Sequence, residues 1–478
     1  MKVLLISPPS FNVIRGDSSD IFEEESGIYP PLGLMYIAAF LKENTKHSVE
    51  ILDTQADGLT YPEIEAEIRR VSPDVIGITT LTFALLDVIN IAKMVKTIDG
   101  NIHICLGGPH VYIYPYETIK FPFVDSLILG EGEIAFGELV NALERKTPLS
   151  EVKGVVSKDG SGPVNAGPRE FNTNLDSLPF PDRGIIPYKK YNSVLAKDSL
   201  MTTMMTSRGC PFSCIYCHRP HMGKKYRTRS GINVVDEMEE CVKMGIREFM
   251  IFDDIFTLQR DRVFEVCEEI IRRRLDISWD IRSRVNTVDY EMLKQLKKAG
   301  CKRISYGVEA GTEKVLKALK KGTTVEQSEK AIKMTRELGI TTLADFMLGS
   351  PEEDREDIKK TIDFALKLKP DFAQFTITTP YPATELYRQG LESGVIKEDY
   401  WKKFAENPDE NFETPVWEEI LPKEELMGLL NTAYGSFYLR PGYIMRNILK
   451  VRSFGEFRRK ARAGLKVFRL GRQICTKM

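Results

Sequence analysis

Long apolar runs are missing from this 478-residue chain. None reaches the ~18 residues that a membrane-spanning helix needs. The opening Met1-Lys2-Val3-Leu4-Leu5-Ile6-Ser7-Pro8-Pro9 holds an apolar run of only four residues, stopped by two prolines. That is too short for the core of a signal peptide and reads as a buried strand. The expectation is a cytoplasmic protein. Fixed-period repeats and low-complexity tracts are also absent. No G-x-G-x-x-G follows the first apolar segment, which argues against a dinucleotide site. Histidine is scarce, with five residues, and the chain contains no Asp-x-His-x-x-Gly. Disorder throughout is excluded, because 42% of the residues are hydrophobic and 28% charged.

A net charge of −1 hides an uneven distribution. Residues 440–478 hold 12 Lys or Arg and one acid, Glu456, whereas the remainder holds 55 basic and 67 acidic residues. An acidic body therefore carries a basic tail. Tyr443, Ile444, Phe454, Phe457 and Phe468 are interleaved with the tail's basic residues. Such a segment suits the surface of an anionic membrane, a nucleic acid, or a helix pair docked on the acidic body.

At roughly 150 residues per domain the length suggests about three units. Residues 1–145 alternate strand and helix patterns, with strands at Val3–Ser7, Val49–Asp53, Asp74–Thr80, Ile102–Leu106 and Asp125–Leu129. Five such strands imply a doubly wound, Rossmann-like parallel sheet with its ligand at the strands' carboxyl ends. Residues 146–199, rich in Gly, Pro, Asn and Asp, read as a hairpin near Val152–Pro163 and then a linker. Residues 200–390 contain six further strand–helix units, consistent with a partial (β/α)6 barrel of the TIM type whose chemistry sits on loops at the carboxyl ends. Residues 391–478 read as a helical region ending in the basic tail.

Eight cysteines are present, and three fall within eight residues: Cys210, Cys214 and Cys217, as C-x3-C-x2-C after a strand. A cytosolic chain of this size does not need disulfides. Three thiolates on one loop can hold three irons of a [4Fe–4S] cube, leaving the fourth iron open to an amine and carboxylate. The alternative is a zinc site completed by His218 or His221. Cys241, Cys267 and Cys301 sit on patterned elements and read as core. Cys475 lies in the tail.

C-x3-C-x2-C with an aromatic before the last cysteine, opening a six-unit βα series, resembles the radical S-adenosylmethionine (SAM) superfamily over residues 200–390. The resemblance implies a cluster that binds SAM and cleaves it to a 5′-deoxyadenosyl radical, which removes hydrogen from an unreactive C–H. Tyr216 falls where an aromatic contacts the adenine. Phe252-Asp253-Asp254, after the second strand, falls where the family often has Gly-Gly-Glu, and Asp254 can still accept a hydrogen bond from the SAM amine. Arg284, with Arg282 and Asn286, ends the third strand, where the family's polar groups meet the ribose and carboxylate. Ser305 and Glu309 lie at the fourth, near the ribose. Gly349-Ser350-Pro351 resembles the turn after the fifth.

In residues 1–145, Ser7-Pro8-Pro9, Gly77-Ile78-Thr79-Thr80, Leu106-Gly107-Gly108-Pro109-His110 and Leu129-Gly130-Glu131-Gly132-Glu133 recur in this order in cobalamin-binding domains fused to radical SAM barrels. The resemblance implies that Pro9, Thr79, Thr80, Gly107, Gly108, Pro109, Gly130, Glu131, Gly132 and Glu133 line a cobalamin site. Without the Asp-x-His-x-x-Gly histidine, it implies a cobalt with no protein histidine below it. The other reading is a vestigial domain that binds no cobalamin.

The expected activity is methylation of an unactivated carbon in a small-molecule or lipid substrate. The alternative within this architecture is ring closure or oxidation without methyl transfer. The alternative from another class is a metal-bearing binding protein; nucleic acid is not the expected partner. An external electron donor of the flavodoxin or ferredoxin type is implied. The tail adds an expected peripheral contact with the inner membrane surface. Anaerobic reconstitution with iron, sulfide and cobalamin should give about four irons and one cobalt per chain. One zinc and no iron would overturn the cluster reading.

Overall fold

The first strand, β1 (Lys2–Ser7), is buried on both sides, and its side chains divide between two layers. Leu4 and Ile6 join one apolar cluster, whereas Val3 and Leu5 join another. That division requires helices on both faces of the sheet. A computed structural model describes residues 1–14, 27–159, 162–193, 200–218 and 220–449. In it, α1 (Leu32–Asn44) precedes β2 (Ser48–Asp53), α2 (Tyr61–Val71) precedes β3 (Val75–Thr79), and α3 (Leu85–Ile98) precedes β4 (His103–Gly107). The short α4 (Pro109–Ile113), β5 (Ser126–Ile128) and α5 (Gly132–Arg145) follow. Helices α1 and α5 contribute Leu34, Leu41, Phe136 and Leu139 to the Val3–Leu5 cluster. Helices α2 and α3 contribute Ile64, Ile68, Val88 and Ile91 to the other. Thr60 and Glu63 form a reciprocal cap that starts α2.

The expected hairpin is β6 (Val155–Asp159) with β7 (Gly162–Asn165). It extends the sheet rather than beginning a linker, because β6 pairs antiparallel with β5. The resulting order is β2-β1-β3-β4-β5-β6-β7. Strand order reverses between β1 and β3, so the crevice of this sheet opens beside Pro9 and Thr79-Thr80.

The second sheet holds β8 (Met201–Met204), and a small ribbon of β9 (Ser207–Arg208) and β10 (Arg227–Thr228) follows it. Then come α6 (Gly231–Lys243), β11 (Glu248–Ile251), α7 (Arg260–Arg272), β12 (Ser278–Arg284), α8 (Tyr290–Lys298), β13 (Cys301–Glu309) and α9 (Glu313–Ala318). The series ends with α10 (Val325–Glu337), β14 (Thr341–Leu348), α11 (Arg355–Leu368) and β15 (Phe372–Ile377). All six strands are parallel, in the order β15-β14-β13-β12-β11-β8. This is the partial barrel expected from the sequence. Cys241, Cys267 and Cys301 lie in its core.

Helices α12 (Glu385–Ser393), α13 (Tyr400–Glu406), α14 (Lys423–Tyr438) and α15 (Pro441–Leu449) complete the described chain. An open barrel leaves edge strands with unpaired backbone groups. At β15 this is resolved by two tyrosines of α14. The Tyr434 hydroxyl accepts from Phe375 N (3.2 Å) and donates to Phe375 O (2.9 Å). Tyr438 does the same at Ala373 N (3.1 Å) and O (2.8 Å). Tyr443 donates to Asp371 O at 3.0 Å. The start of the basic segment is therefore docked on the barrel, and the rest of the tail, with Cys475, lies outside the described residues. Among those residues no helix is long and apolar enough to cross a membrane.

One consequence is testable by denaturant titration. Each Tyr→Phe change at 434 or 438 leaves a buried edge pair unsatisfied and should lower stability by ~1–3 kcal/mol. An unchanged midpoint in the double variant would show that the edge does not depend on these hydroxyls.

Candidate functional site

The cysteine loop is anchored before it begins. Asp253, fully buried after β11, accepts from Thr206 N (2.6 Å), Thr206 Oγ1 (2.5 Å) and Ser207 N (3.0 Å). Arg262 of α7 donates to Thr206 O (2.9 Å) and to the Thr206 hydroxyl. Asp253 was expected beside SAM, yet its carboxylate is occupied in holding the strand that leads to the cysteines. Asp254 is nearer the loop, where its charge helps push the Cys210 thiol upward.

Gly209 precedes Cys210 with φ +86°. A Cβ there would strike the Lys225 carbonyl and lie 2.8 Å from that of Gly223. Only glycine accepts both the φ and the approach. The three cysteines are free thiols, Cys210 and Cys214 half-buried and Cys217 exposed. Burial raises Cys210, and the charges of Cys217 and Cys214 raise it further. Ionised together on one loop, the three would need a cationic partner. Among the described residues no three Cys, His, Asp or Glu side chains converge as around a single ion. Three cysteines on one loop match the ligand set of a cluster, in which each thiolate takes a different iron. Arg284 lies 3.5 Å from Cys214 Sγ and stacks 3.8 Å from the Phe212 ring centre.

Tyr216 points inward from the same loop. Its hydroxyl donates to Glu309 Oε1 at 3.0 Å. Lys321 Nζ lies 2.6 Å from the same oxygen and 3.1 Å from the Tyr216 hydroxyl. Glu309 adopts φ +68°, and Gly307 leaves the space that these side chains fill. Arg284 also donates to the Lys321 carbonyl. Cys214, Tyr216, Arg284 and Glu309 thus converge at the barrel mouth. Ser305 sits lower on β13, in register with Arg282. Lys321 was not singled out in the sequence, where Lys320-Lys321-Gly322 reads as an ordinary basic helix end. Sequence position gave no sign that one of the two lysines turns inward.

At the other sheet, Pro9 is buried behind β1, and Thr80 is buried where β3 ends. Thr80 N donates to Gly107 O at 2.7 Å, and His110 N donates to Thr80 O at 3.2 Å. Gly108 has φ +113°, and a Cβ there would meet Thr80 O at 2.9 Å, whereas one at Gly107 would meet nothing. Glycine thus closes the turn on one side and leaves it open on the other. Pro109 starts α4. His110 is buried. Its Nδ1 lies 3.1 Å from Thr82 Oγ1, and its Nε2 has no protein partner. Burial lowers its pKa to about 3, so the ring is neutral. An open glycine edge beside an unpartnered buried nitrogen fits a bound polar group.

Glu131 and Glu133 were expected at the cobalamin and are found bridging the two sheets. Arg208 Nη1 lies 2.9 Å from Glu131 Oε1, and Arg208 Nη2 lies 2.5 Å from Glu133 Oε1. Arg227 also reaches Glu131 at 2.9 Å. Gly132 packs on Ile37, and Gly130 faces the carbonyl of His221. A cavity of about 380 Å³ beside Gly130 is lined by Tyr112, Phe171 and Asn172 among others. A second bridge stacks Phe83 edge-on to Tyr381 and Trp401, both at 5.7 Å. Tyr29 meets Phe252 at 5.6 Å. All these contacts lie beyond strand carboxyl ends, so the two carboxyl edges face each other.

Residues 204–365 match the family model of the radical SAM superfamily, and residues 19–140 match that of the B12 binding domain. This chain belongs to the radical SAM superfamily, in the branch that carries a B12-binding domain. It is 35% identical to an uncharacterized methyltransferase of Pyrococcus horikoshii, over 98% of this chain and 99% of that one. It is 30% identical to the anaerobic magnesium-protoporphyrin IX monomethyl ester cyclase of Rubrivivax gelatinosus, over 93% and 78%. Its fold matches the radical SAM methyltransferase TsrM of Kitasatospora setae, solved with cobalamin and a [4Fe–4S] cluster, with TM-score 0.73, 18% identity and coverage of 92% and 89%. It also matches the cobalamin-dependent radical SAM enzyme OxsB, with TM-score 0.75, 18% identity and coverage of 98% and 72%. The family's cofactors are SAM, a [4Fe–4S] cluster and cobalamin.

Gly209→Ala isolates the loop from the rest of the barrel. Reconstituted iron per chain should fall by more than half while far-UV circular dichroism is retained. Full iron loading would show that the loop tolerates a Cβ at this position.

Proposed function

We propose that this chain is a cobalamin-dependent radical SAM methyltransferase acting on an unactivated carbon of a small molecule. When bound, the cluster and SAM supply a 5′-deoxyadenosyl radical, and cobalamin supplies the methyl group. The observation that carries the reading is the facing of the two carboxyl edges. Arg208 and Arg227 tie Glu131 and Glu133 to the base of the cysteine loop, so a group seated on Thr80 and Gly107 looks toward the barrel mouth. Similarity to a methyltransferase over the full length of both chains favours methyl transfer.

Cys210, Cys214 and Cys217 would hold the cluster. Arg284 would stay beside Cys214 and balance its charge. Tyr216 would stack on the adenine, and Glu309 would accept from the ribose hydroxyls, with Asp254 receiving the amine. Lys321, released from Glu309, would have a carboxylate within reach. On the other side, Gly107 would let the backbone approach cobalamin, and His110 Nε2 would hydrogen-bond a polar group of it. As a neutral, buried ring beside Thr82, His110 is built for a hydrogen bond rather than for carrying charge. Phe83, Tyr381 and Trp401 would keep water from the cleft. The chain would work in the cytoplasm with an external flavodoxin- or ferredoxin-type donor. The basic tail would meet the inner membrane surface.

A second reading, ring closure without methyl transfer, is favoured by the 30% identity to the cyclase. Products separate the two. Methylation yields S-adenosylhomocysteine together with 5′-deoxyadenosine, whereas cyclisation yields only the latter. Chromatography of an anaerobic reaction should show both products, with cobalamin required. Loss of S-adenosylhomocysteine alone would transfer the argument to the cyclase.

A further inference from the structure

The barrel interior is more polar than a packed barrel allows. Ile304, Tyr306 and Val308 of β13 and Ala344, Phe346 and Leu348 of β14 belong to the core beneath the helices. By the two-residue alternation of a strand, Ser305, Gly307, Glu309 and Asp345 face inward. Closed barrels fill such layers with bulky aliphatic side chains. Here Arg282 and Asp345 occupy neighbouring layers, in register with Ser305 and Gly307 respectively. Gly307 contributes no side chain between them.

Arg282 is exposed on this inner face, and its guanidinium lies 4.7 Å from the centre of the Phe252 ring. Phe252 is in turn met edge-on by Tyr29 from the other half of the molecule. The shelf therefore lies where the two halves meet. Asp345 is surrounded by charge from several elements: Arg282 on β12, Glu309 on β13 and Lys321 after α9. From α14, Tyr434 and Tyr438 also sense its charge.

We propose that Arg282 and Asp345 form the floor of the substrate pocket, and that the substrate carries an anionic group, a carboxylate or a phosphate, which docks on Arg282. The proposal rests on the radical-methylation reading and adds a substrate class to it. A guanidinium on an aromatic shelf presents a forked edge of N–H donors suited to either anion. A wholly apolar substrate would instead desolvate Arg282 and Asp345 without replacing their hydrogen bonds. Burial, then the charge of Glu309, pushes the Asp345 carboxyl up to about 7. Below that pH it is neutral and can donate to an arriving anion. Above it, Asp345 is charged, competes for Arg282 and repels the anion. Binding should weaken as pH rises through 7.

Inorganic phosphate is a direct probe, followed by 31P relaxation on the full chain loaded with cluster and SAM. SAM is present so that the probe cannot simply replace its carboxylate. Saturable binding is expected, at least tenfold weaker in Arg282→Met and partly recovered in Arg282→Lys. Affinity should fall several-fold between pH 6 and pH 8, and Asp345→Asn should abolish that dependence. Iron content reports folding in every variant. No saturable binding in the parent, or no effect of Arg282→Met, overturns the proposal. In the same samples, reductive formation of 5′-deoxyadenosine tests the underlying reading. If it persists while phosphate fails to bind, only the anionic floor falls. If it is absent at full iron loading, the radical reading falls with it.

Discussion

Arg208 joins the two halves of this protein at one point. Its guanidinium bridges Glu131 and Glu133 of the B12-binding half, and its backbone leads directly into Gly209 and Cys210. Moving one half would therefore move the cysteine loop. All three side chains are nearly buried, so the attraction is offset by the cost of removing charge from water. The net gain in stability is small. Removing one partner is different, because the charge left behind costs about 3–5 kcal/mol. These paired charges tie the base of the cysteine loop to the B12-binding half.

The same logic recurs deeper in the barrel. Arg183 arrives from the linker and lies 2.6 Å from the fully buried Glu237 of α6. Arg229 pairs with the other oxygen of that carboxylate. Tyr36 of α1 donates to Met205 O at 3.3 Å. Each of these groups is buried, paired and drawn from a different segment. Together they hold the strand ends while the barrel itself stays open at β8 and β15. Tyrosines of α14 satisfy one of those edges, so the barrel need not close. An open barrel keeps room inside for polar groups such as Arg282 and Asp345.

Two features separate this site from a generic strand-end crevice. Glycine occupies positions that a Cβ would crowd: Gly209 against the Lys225 and Gly223 carbonyls, Gly108 against Thr80, and Gly307 under the Glu309 and Lys321 side chains. Unsatisfied or shifted polar groups lie at the carboxyl edges, notably His110 Nε2 and the Asp345 carboxyl. Such groups are costly when buried and signal a site that is completed by what it binds.

Periodicity in the sequence determined most of the architecture. Residues 1–145 and 200–390 alternate strands and helices, as their apolar spacing indicated. The six barrel strands lie within residues 200–390, where strand–helix alternation was read, because local burial patterns and turn chemistry are written residue by residue. The cysteine spacing likewise named a cluster, since its ligands lie on one loop. Other features arose only from packing between distant segments. Asp253 reads as a SAM ligand in its strand-end motif, yet it is saturated by Thr206 and Ser207. Glu131 and Glu133 read as cofactor contacts, yet Arg208 and Arg227 occupy them. Lys321, Arg183 and Asp345 carry no local signal. A charged residue's role depends on which charge it meets, and those partners lie 12 to 96 residues away along the chain. Spacing reveals such long-range pairs poorly, so the tertiary structure alone decided them.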